Sequence, residues 1–160
     1  MKSLKGFTLI EILISMAIIL LLSVGSLVGF SQFSKRQSIT IAKDNLRGSL
    51  NEAKSKSQAQ VVVTTDCKQS GRILVGYQIG FVTTTDPDSY ELREVCTSGA
   101  ATLTPLVKTI SLPKGVEFNS PPAPVIFLLH PGTVNAAARI RLRSGSRNDE
   151  VNVSTEGVIN

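Results

Sequence analysis

A single carboxylate beside a long apolar run is the residue whose placement most needs a chemical explanation. Glu11 precedes residues 12–30, a run of 19 residues without any charge. As a helix this run would measure about 28 Å, which is enough to cross most of the hydrocarbon core of a bilayer. An ionisable group at such depth costs roughly 2.5–3.5 kcal/mol, so it marks a functional site and requires a partner. The chemistry expected of Glu11 is charge neutralisation by a cation.

A second group that could do chemistry lies near the end of the chain. Its members are four arginines on a predicted strand and the turn after it, namely Arg139, Arg141, Arg143 and Arg147. The first three alternate with Ile140 and Leu142, which places their guanidinium groups on one face of the strand. Such a face could bind the phosphates of DNA. The alternative is a solvated outer face, balanced by Asp149 and Glu150 across the same hairpin.

The sequence offers little for catalysis, so we expect no enzymatic activity, no cofactor and no metal site. The one histidine, His130, precedes a proline, where a turn or surface role fits better than that of a catalytic base. No His, Cys or carboxylate spacing matches a metal site. Gly76 and Gly80 lie in a predicted strand with no helix after it, which favours close backbone approach over a phosphate-binding loop.

Residues 1–30 allow three interpretations. The first is a secretory signal that is cut near Ser23-Val24-Gly25, and the second is an uncleaved anchor with Glu11 close to the interface. The third depends on residues 5–11, KGFTLIE, which stand directly before the apolar run. This heptapeptide resembles the processing site of type IV pilins and of the pseudopilins of type II secretion.

The resemblance implies a role for each residue of this site. A prepilin peptidase would cut after Gly6 and methylate the new amino terminus at Phe7, which leaves residues 1–6 as a cleaved leader. Glu11 would pair with the terminal amine of a neighbouring subunit during filament assembly, so that two buried charges are removed together. The physical cost of Glu11 and its role in the family therefore agree.

The resemblance also implies a location and a set of partners. The chain would cross the bacterial inner membrane once, with its N-terminus cytoplasmic, as Lys2 and Lys5 also favour, and its C-terminal domain periplasmic or extracellular. The implied partners are other pilin or pseudopilin subunits, prepilin peptidase, the inner-membrane assembly platform and membrane lipid. We expect residues 7–30 to form the transmembrane and assembly helix.

Residues 31–60 are predicted to continue that helix as an amphipathic half. They contain no proline, and apolar residues recur every three or four positions at Ile39, Ala42, Leu46, Leu50 and Ala53. This narrow stripe should pack on a domain while the charged faces meet water or neighbouring molecules. The alternative is two helices with a loop near residues 31–38.

Residues 61–160 are predicted to form a β domain. The period changes at the β-branched run 61–65, and further short strands are separated by proline and glycine turns. The predicted strands cover residues 72–85, 90–97, 106–112, 116–118, 125–129, 138–143 and 150–154. We therefore expect an α+β fold in which the long helix packs against an antiparallel β-sheet or a two-sheet β-sandwich.

The last third of the chain resembles the domain ending of H-type minor pseudopilins and FimT-like minor pilins. The residues that carry this likeness are IF at 126–127, PGT at 131–133, ARIRL at 138–142, VNV at 151–153 and EGVI at 156–159. Some FimT-like minor pilins serve in DNA uptake. The resemblance thus implies a minor pilin or pseudopilin as the main function, and a DNA receptor as the alternative.

The two cysteines and the net charge bear on the location of the chain and on its partners. Cys67 and Cys96 are the only cysteines, and a domain outside the cytoplasmic membrane would favour a disulfide between them over two free thiols. The formal net charge is +5, and loss of the leader would leave 15 basic against 12 acidic side chains. A balance this mild does not by itself indicate a nucleic-acid partner.

Overall fold

The N-terminal helix is capped by a side chain at its start and by backbone hydrogen bonds at its end. The computed structural model describes residues 8–120, 122–129 and 133–160, with the backbone alone for residues 21–31, and its helix α1 extends over Leu9–Gln58. At the start, Oγ1 of Thr8 accepts a hydrogen bond from the backbone N–H of Glu11 at 3.4 Å, the spacing of a capping box. At the end, Gln60 has a φ of 52°, and the N–H of Val61 donates to the carbonyl of Lys56. This is a Schellman-type ending.

The chain divides into two units, one ending at Lys35 and one formed by Arg36–Asn160. In the second unit the apolar stripe of α1 is completely or almost completely buried, as the spacing of its residues predicts. The residues concerned are Ile39, Ala42, Leu46, Leu50 and Ala53. Their burial in the hydrophobic core confirms that the domain packs on this face of the helix.

Eight strands lie within the described part of the chain. They are β1 (Arg72–Val82), β2 (Ser89–Ser98), β3 (Ala101–Leu103), β4 (Leu106–Ser111), β5 (Glu117–Phe118), β6 (Val125–Leu128), β7 (Ala138–Ser144) and β8 (Arg147–Val153). One sheet has the order β3-β2-β1-β6, with β4 also paired to β2, and the other has the order β5-β7-β8. All pairings are antiparallel. The predicted α+β class with antiparallel sheets is confirmed.

One core joins the helical stripe to both sheets. Tyr77 of β1, Tyr90 of β2 and Phe127 of β6 are fully buried in it, together with Ile140 and Leu142 of β7. Gly76 allows two of these strands to come close, because a Cβ atom at this position would lie 2.0 Å from the carbonyl oxygen of Phe127. Gly76 is thus a point of close backbone approach, whereas a Cβ at Gly80 would have its nearest neighbour at 3.8 Å.

Two features of the β domain were not predicted from the sequence. The β-branched run 61–65 forms no strand but a connector between α1 and β1, since a carboxylate side chain, described below, binds its backbone N–H groups. The short strand β3 was missed, because Ala101–Leu103 has no alternating pattern and pairs only with the end of β2. A β-branched run predicts extended backbone, but it does not indicate which groups will form hydrogen bonds with that backbone.

Candidate functional site

Glu11 lies in the first turn of α1. Its backbone N–H donates to the carbonyl of Thr8 at 3.1 Å, and its side chain is exposed. A carboxylate at this position is stabilised by the positive end of the helix dipole. The predicted processing residues Gly6 and Phe7 lie outside the described residues, as does His130.

The first unit presents apolar side chains to its surroundings. From Leu9 to Leu20 every described side chain is exposed, with exposed fractions of 79% at Leu9 and 67% at Leu20. Within the described residues, no helix reaches the length and apolar character that crossing a membrane requires.

The three strand arginines lie side by side on the solvent face of β7. Their side chains are between 50% and 61% exposed, while Ile140 and Leu142 point into the core, as the alternation predicts. The members of this arginine face are Arg139, Arg141 and Arg143. Arg147, at the start of β8, is also exposed.

Carboxylates occupy much of the arginine face. The Nε atoms of Arg139 and Arg141 lie 4.0 Å and 3.8 Å from Oε2 of Glu150, and Arg143 forms an ion pair with Glu117 at 3.0 Å. Exposed pairs of this kind contribute little stability, but they must separate before a phosphate can replace the carboxylate. Glu150 therefore balances the face, as the sequence suggested.

Asp149 has a different partner from the one expected. It forms an ion pair at 2.7 Å with Lys43 of α1. Burial raises the pKa of Asp149, but the hydrogen bonds from Lys43 and from the backbone N–H of Glu150, together with the charges of Lys43 and Arg147, outweigh burial and hold the pKa below its ordinary value. Asp149 thus links the helix to the second sheet.

A disulfide joins Cys67 and Cys96, whose Cα atoms are 5.8 Å apart. It ties the connector after α1 to β2, and both cysteines are buried. The two cysteines are 29 positions apart in the sequence, and the loop that the disulfide closes contains the whole of β1.

Glu94 is a buried carboxylate that the sequence analysis did not single out. It accepts hydrogen bonds from the backbone N–H groups of Val63 and Thr64, from the hydroxyl of Thr64 and from the hydroxyl of Tyr77. No salt bridge to Glu94 occurs among the described residues. The only sign of its burial in the sequence was its position. Glu94 lies two residues from both Leu92 and Cys96 on β2, and the side chains of these two residues face the core.

The electrostatics of Glu94 follow from this set of donors. Burial by itself raises the pKa of Glu94, but the hydrogen bonds from Thr64, Val63 and Tyr77 outweigh it and lower the pKa. Burial and the neighbouring carboxylate raise the pKa of Tyr77. Glu94 therefore stays ionised and holds the connector 61–64 on the sheet, a structural role. Across the described residues, no group of three or more His, Cys, Asp or Glu side chains is placed to hold a metal ion.

Comparison with known proteins bears on the N-terminal segment. The family model described as the prokaryotic N-terminal methylation motif matches residues 1–27. This motif is a type IV pilin-like prepilin signal, and it supports membership of the pilin and pseudopilin family, processing by prepilin peptidase and assembly with other pilin subunits. It also implies a membrane-anchored precursor that later enters a filament. No significant match was found among curated proteins or among solved structures.

Proposed function

We propose that this chain is a minor pilin or pseudopilin, similar to the H-type and FimT-like subunits, and that its work is structural rather than catalytic. The observation that carries the proposal is the methylation motif over residues 1–27, which includes Gly6, Phe7 and Glu11. Glu11 is the fifth residue of the chain that cleavage after Gly6 would leave. The filament is a type IV pilus or a type II secretion pseudopilus.

The proposed mechanism has three steps. Prepilin peptidase removes residues 1–6 and methylates Phe7, while residues 7–30 hold the subunit in the inner membrane with its β domain on the periplasmic side. The assembly platform then moves the helix from lipid into the filament. There Glu11 neutralises the terminal amine of a neighbouring subunit, since an isolated charge among apolar helices is costly.

The two halves of the N-terminal segment have different roles in this mechanism. Residues 7–30 supply the apolar assembly half and residues 31–60 the amphipathic half under the β domain. The exposed apolar side chains of residues 9–20 are the surface that lipid covers first and other subunits cover later. Helix-to-helix packing then replaces lipid contacts without exposing these residues to water.

Replacement of Glu11 tests the assembly role. The Glu11→Ala variant should be cleaved and methylated normally, as read by mass spectrometry of the mature N-terminus, yet fail to enter the filament fraction. Glu52→Ala, an acidic residue on the second half of α1, is the matched control and should assemble. Normal incorporation of Glu11→Ala would contradict the proposal, and so would a mature N-terminus near Gly25.

The arginine face supports a second candidate function, a DNA receptor. Its three guanidinium groups are exposed on one side of β7, and guanidinium groups bind the phosphates of DNA. The ion pairs with Glu150 and Glu117 compete with phosphate. Binding of duplex DNA should therefore weaken with salt, and weaken strongly when all three arginines become glutamine. If the triple variant binds like the parent, or if neutralising Lys68 and Lys114 has the same effect, this function is excluded.

A further inference from the structure

The turn that carries Cys67 is built on Thr64. The carbonyl oxygen of Thr64 accepts a hydrogen bond from the backbone N–H of Lys68 at 3.3 Å, and its hydroxyl accepts one from the backbone N–H of Cys67 at 3.4 Å. A threonine hydroxyl that bonds a backbone N–H a few residues further along stabilises a local turn. The position of Cys67 therefore follows from the position of Thr64.

Glu94 fixes the position of Thr64 on the first sheet. Oε2 of Glu94 accepts hydrogen bonds from the backbone N–H of Thr64, at 2.9 Å, and from its hydroxyl. Oε1 of the same carboxylate accepts a hydrogen bond from the hydroxyl of Tyr77 at 2.8 Å, which limits the rotation of the carboxylate. The hydroxyl of Thr64 thus donates to Glu94 and accepts from Cys67, so that one side chain joins the carboxylate to the turn.

Glu94 and Cys96 lie on the same face of β2. Both are fully buried, and alternate residues of a strand point to the same side, about 6.6 Å apart along the strand. Thr64 contacts the first of these two positions and Cys67 the second. The connector after α1 therefore follows β2 in the same direction, and docking of Thr64 on Glu94 brings Cys67 to Cys96.

The β1–β2 hairpin alone does not hold the two cysteines together. Its ladder begins with the pair Arg72–Ser98, and residues 68–71 lie between Cys67 and that pair. These residues must be ordered before the two thiols can meet, and ordering them costs conformational entropy. The hydrogen bonds from the connector to Glu94 supply this order without a covalent bond.

We propose that Glu94 is a positioning residue for the formation of the Cys67–Cys96 disulfide. Cys96 is completely buried on β2, so Cys67 meets a disulfide-bearing oxidant first, while the connector of the reduced chain is undocked. The thiolate of Cys67 attacks the oxidant, which forms a mixed disulfide and releases the first thiol of the oxidant. Docking of Thr64 on Glu94 then places Sγ of Cys67 beside Cys96.

The second exchange closes the disulfide. The thiolate of Cys96 attacks Sγ of Cys67 and releases the second thiol of the oxidant. The two cysteines thereby lose two protons and two electrons, and the oxidant is reduced to two thiols. The proposal rests on the proposed function in one respect, the location of the β domain outside the cytoplasm, where disulfides form. The experiment below supplies the oxidant itself, so its failure would leave the proposed function standing.

Oxidation of the reduced full-length protein in detergent tests the positioning role. Glutathione disulfide is added after removal of the reductant, samples are quenched by alkylation, and mass spectrometry counts the free thiols, the mixed disulfide and the closed disulfide. In native buffer, Glu94→Gln and Thr64→Val should slow closure of the mixed disulfide about tenfold relative to the parent, because the connector is no longer held in place. In concentrated urea the parent and both variants should close at the same rate, since no docking occurs there.

Two control variants separate positioning from stability. Thr64→Ser keeps the hydroxyl and the backbone N–H, so it should close at the parent rate. Ile140→Val removes a buried methyl group from the second sheet, which lowers stability without touching the connector, and it should close within about twofold of the parent rate.

Three results would overturn the proposal. The first is a parent that closes no faster in native buffer than in urea, which would mean that no docked connector guides the exchange. The second is closure of Glu94→Gln or Thr64→Val at the parent rate in native buffer. The third is an Ile140→Val variant that slows closure as much as Glu94→Gln does, because the effect would then follow from stability alone.

Discussion

The hydroxyl of Tyr77 donates a hydrogen bond of 2.8 Å to Oε1 of Glu94, inside the fold and out of contact with solvent. The same hydroxyl reaches the carbonyl of Val61 at 2.6 Å. Two neighbouring strands and the connector after α1 therefore meet at one carboxylate. Because neutral donors alone satisfy Glu94, its ionised form is held by the geometry of the connector and not by a counter-ion.

Replacement of this carboxylate should loosen the connector. Glu94→Gln turns one acceptor into an amide donor that faces existing donors, so we expect a loss of about 2–3 kcal/mol in the free energy of unfolding. Denaturant titration of the full-length protein in detergent measures this loss. Glu91→Gln is the control on the same strand. Glu91 faces the other side of the sheet and pairs with Arg93, whose side chain is 33% exposed, so the cost of this substitution should stay below about 1 kcal/mol. Equal costs for the two variants would contradict the role of Glu94.

The contribution of Glu94 should depend on pH with a definite sign. Its folded-state pKa is lowered, whereas the unfolded-state pKa is about 4.3. The stabilisation is therefore fully present above about pH 5 and is lost as the pH falls through the folded-state pKa. The difference in unfolding free energy between the parent and Glu94→Gln should be constant at neutral pH and should shrink below about pH 4. Asp149 is present in both proteins, so its contribution to the pH dependence cancels when the two unfolding free energies are subtracted. A difference that grows on acidification would rule out an ionised Glu94.

Gly76 and Gly80 provide a matched pair for the close approach of β1 and β6. Gly76→Ala places a methyl group against the backbone of Phe127, which cannot move without breaking the β1–β6 ladder, and we expect a cost of about 2–3 kcal/mol or more. Gly80→Ala has room and should cost less than about 1 kcal/mol. Thermal unfolding of the two variants, side by side, measures both. Similar midpoints would show that the contact at Gly76 relaxes freely.

Removal of the disulfide should destabilise the domain through the unfolded chain. For a sequence separation of 29, the chain-entropy model gives a loss of about 3–4 kcal/mol when both cysteines become serine. Unfolding with and without a reductant measures this loss. The parent should shift on reduction, while Cys67→Ser/Cys96→Ser should be insensitive. A reductant effect of equal size on both proteins would mean that the disulfide is not its cause.

The sequence alone determined the features that depend on local chemistry. The residues from Lys5 to Glu11 resemble a prepilin processing signal, which is a linear motif, and they lie within residues 1–27, which the family model matches. The stripe from Ile39 to Ala53 and the alternation of arginines with Ile140 and Leu142 follow from helix and strand periods. These periods correctly assigned the buried faces of α1 and β7, because burial of apolar area outweighs other local preferences.

Only the tertiary structure decided which residues meet across the chain. The pairing of Asp149 with Lys43 joins positions 106 residues apart. Three of the four hydrogen bonds to Glu94 come from the connector after α1, and the fourth comes from Tyr77 of β1. The physical reason is that a buried polar group needs a hydrogen-bonding partner. Which residue becomes that partner depends on tertiary packing, and the periodicity of the sequence carries no information on packing between distant residues.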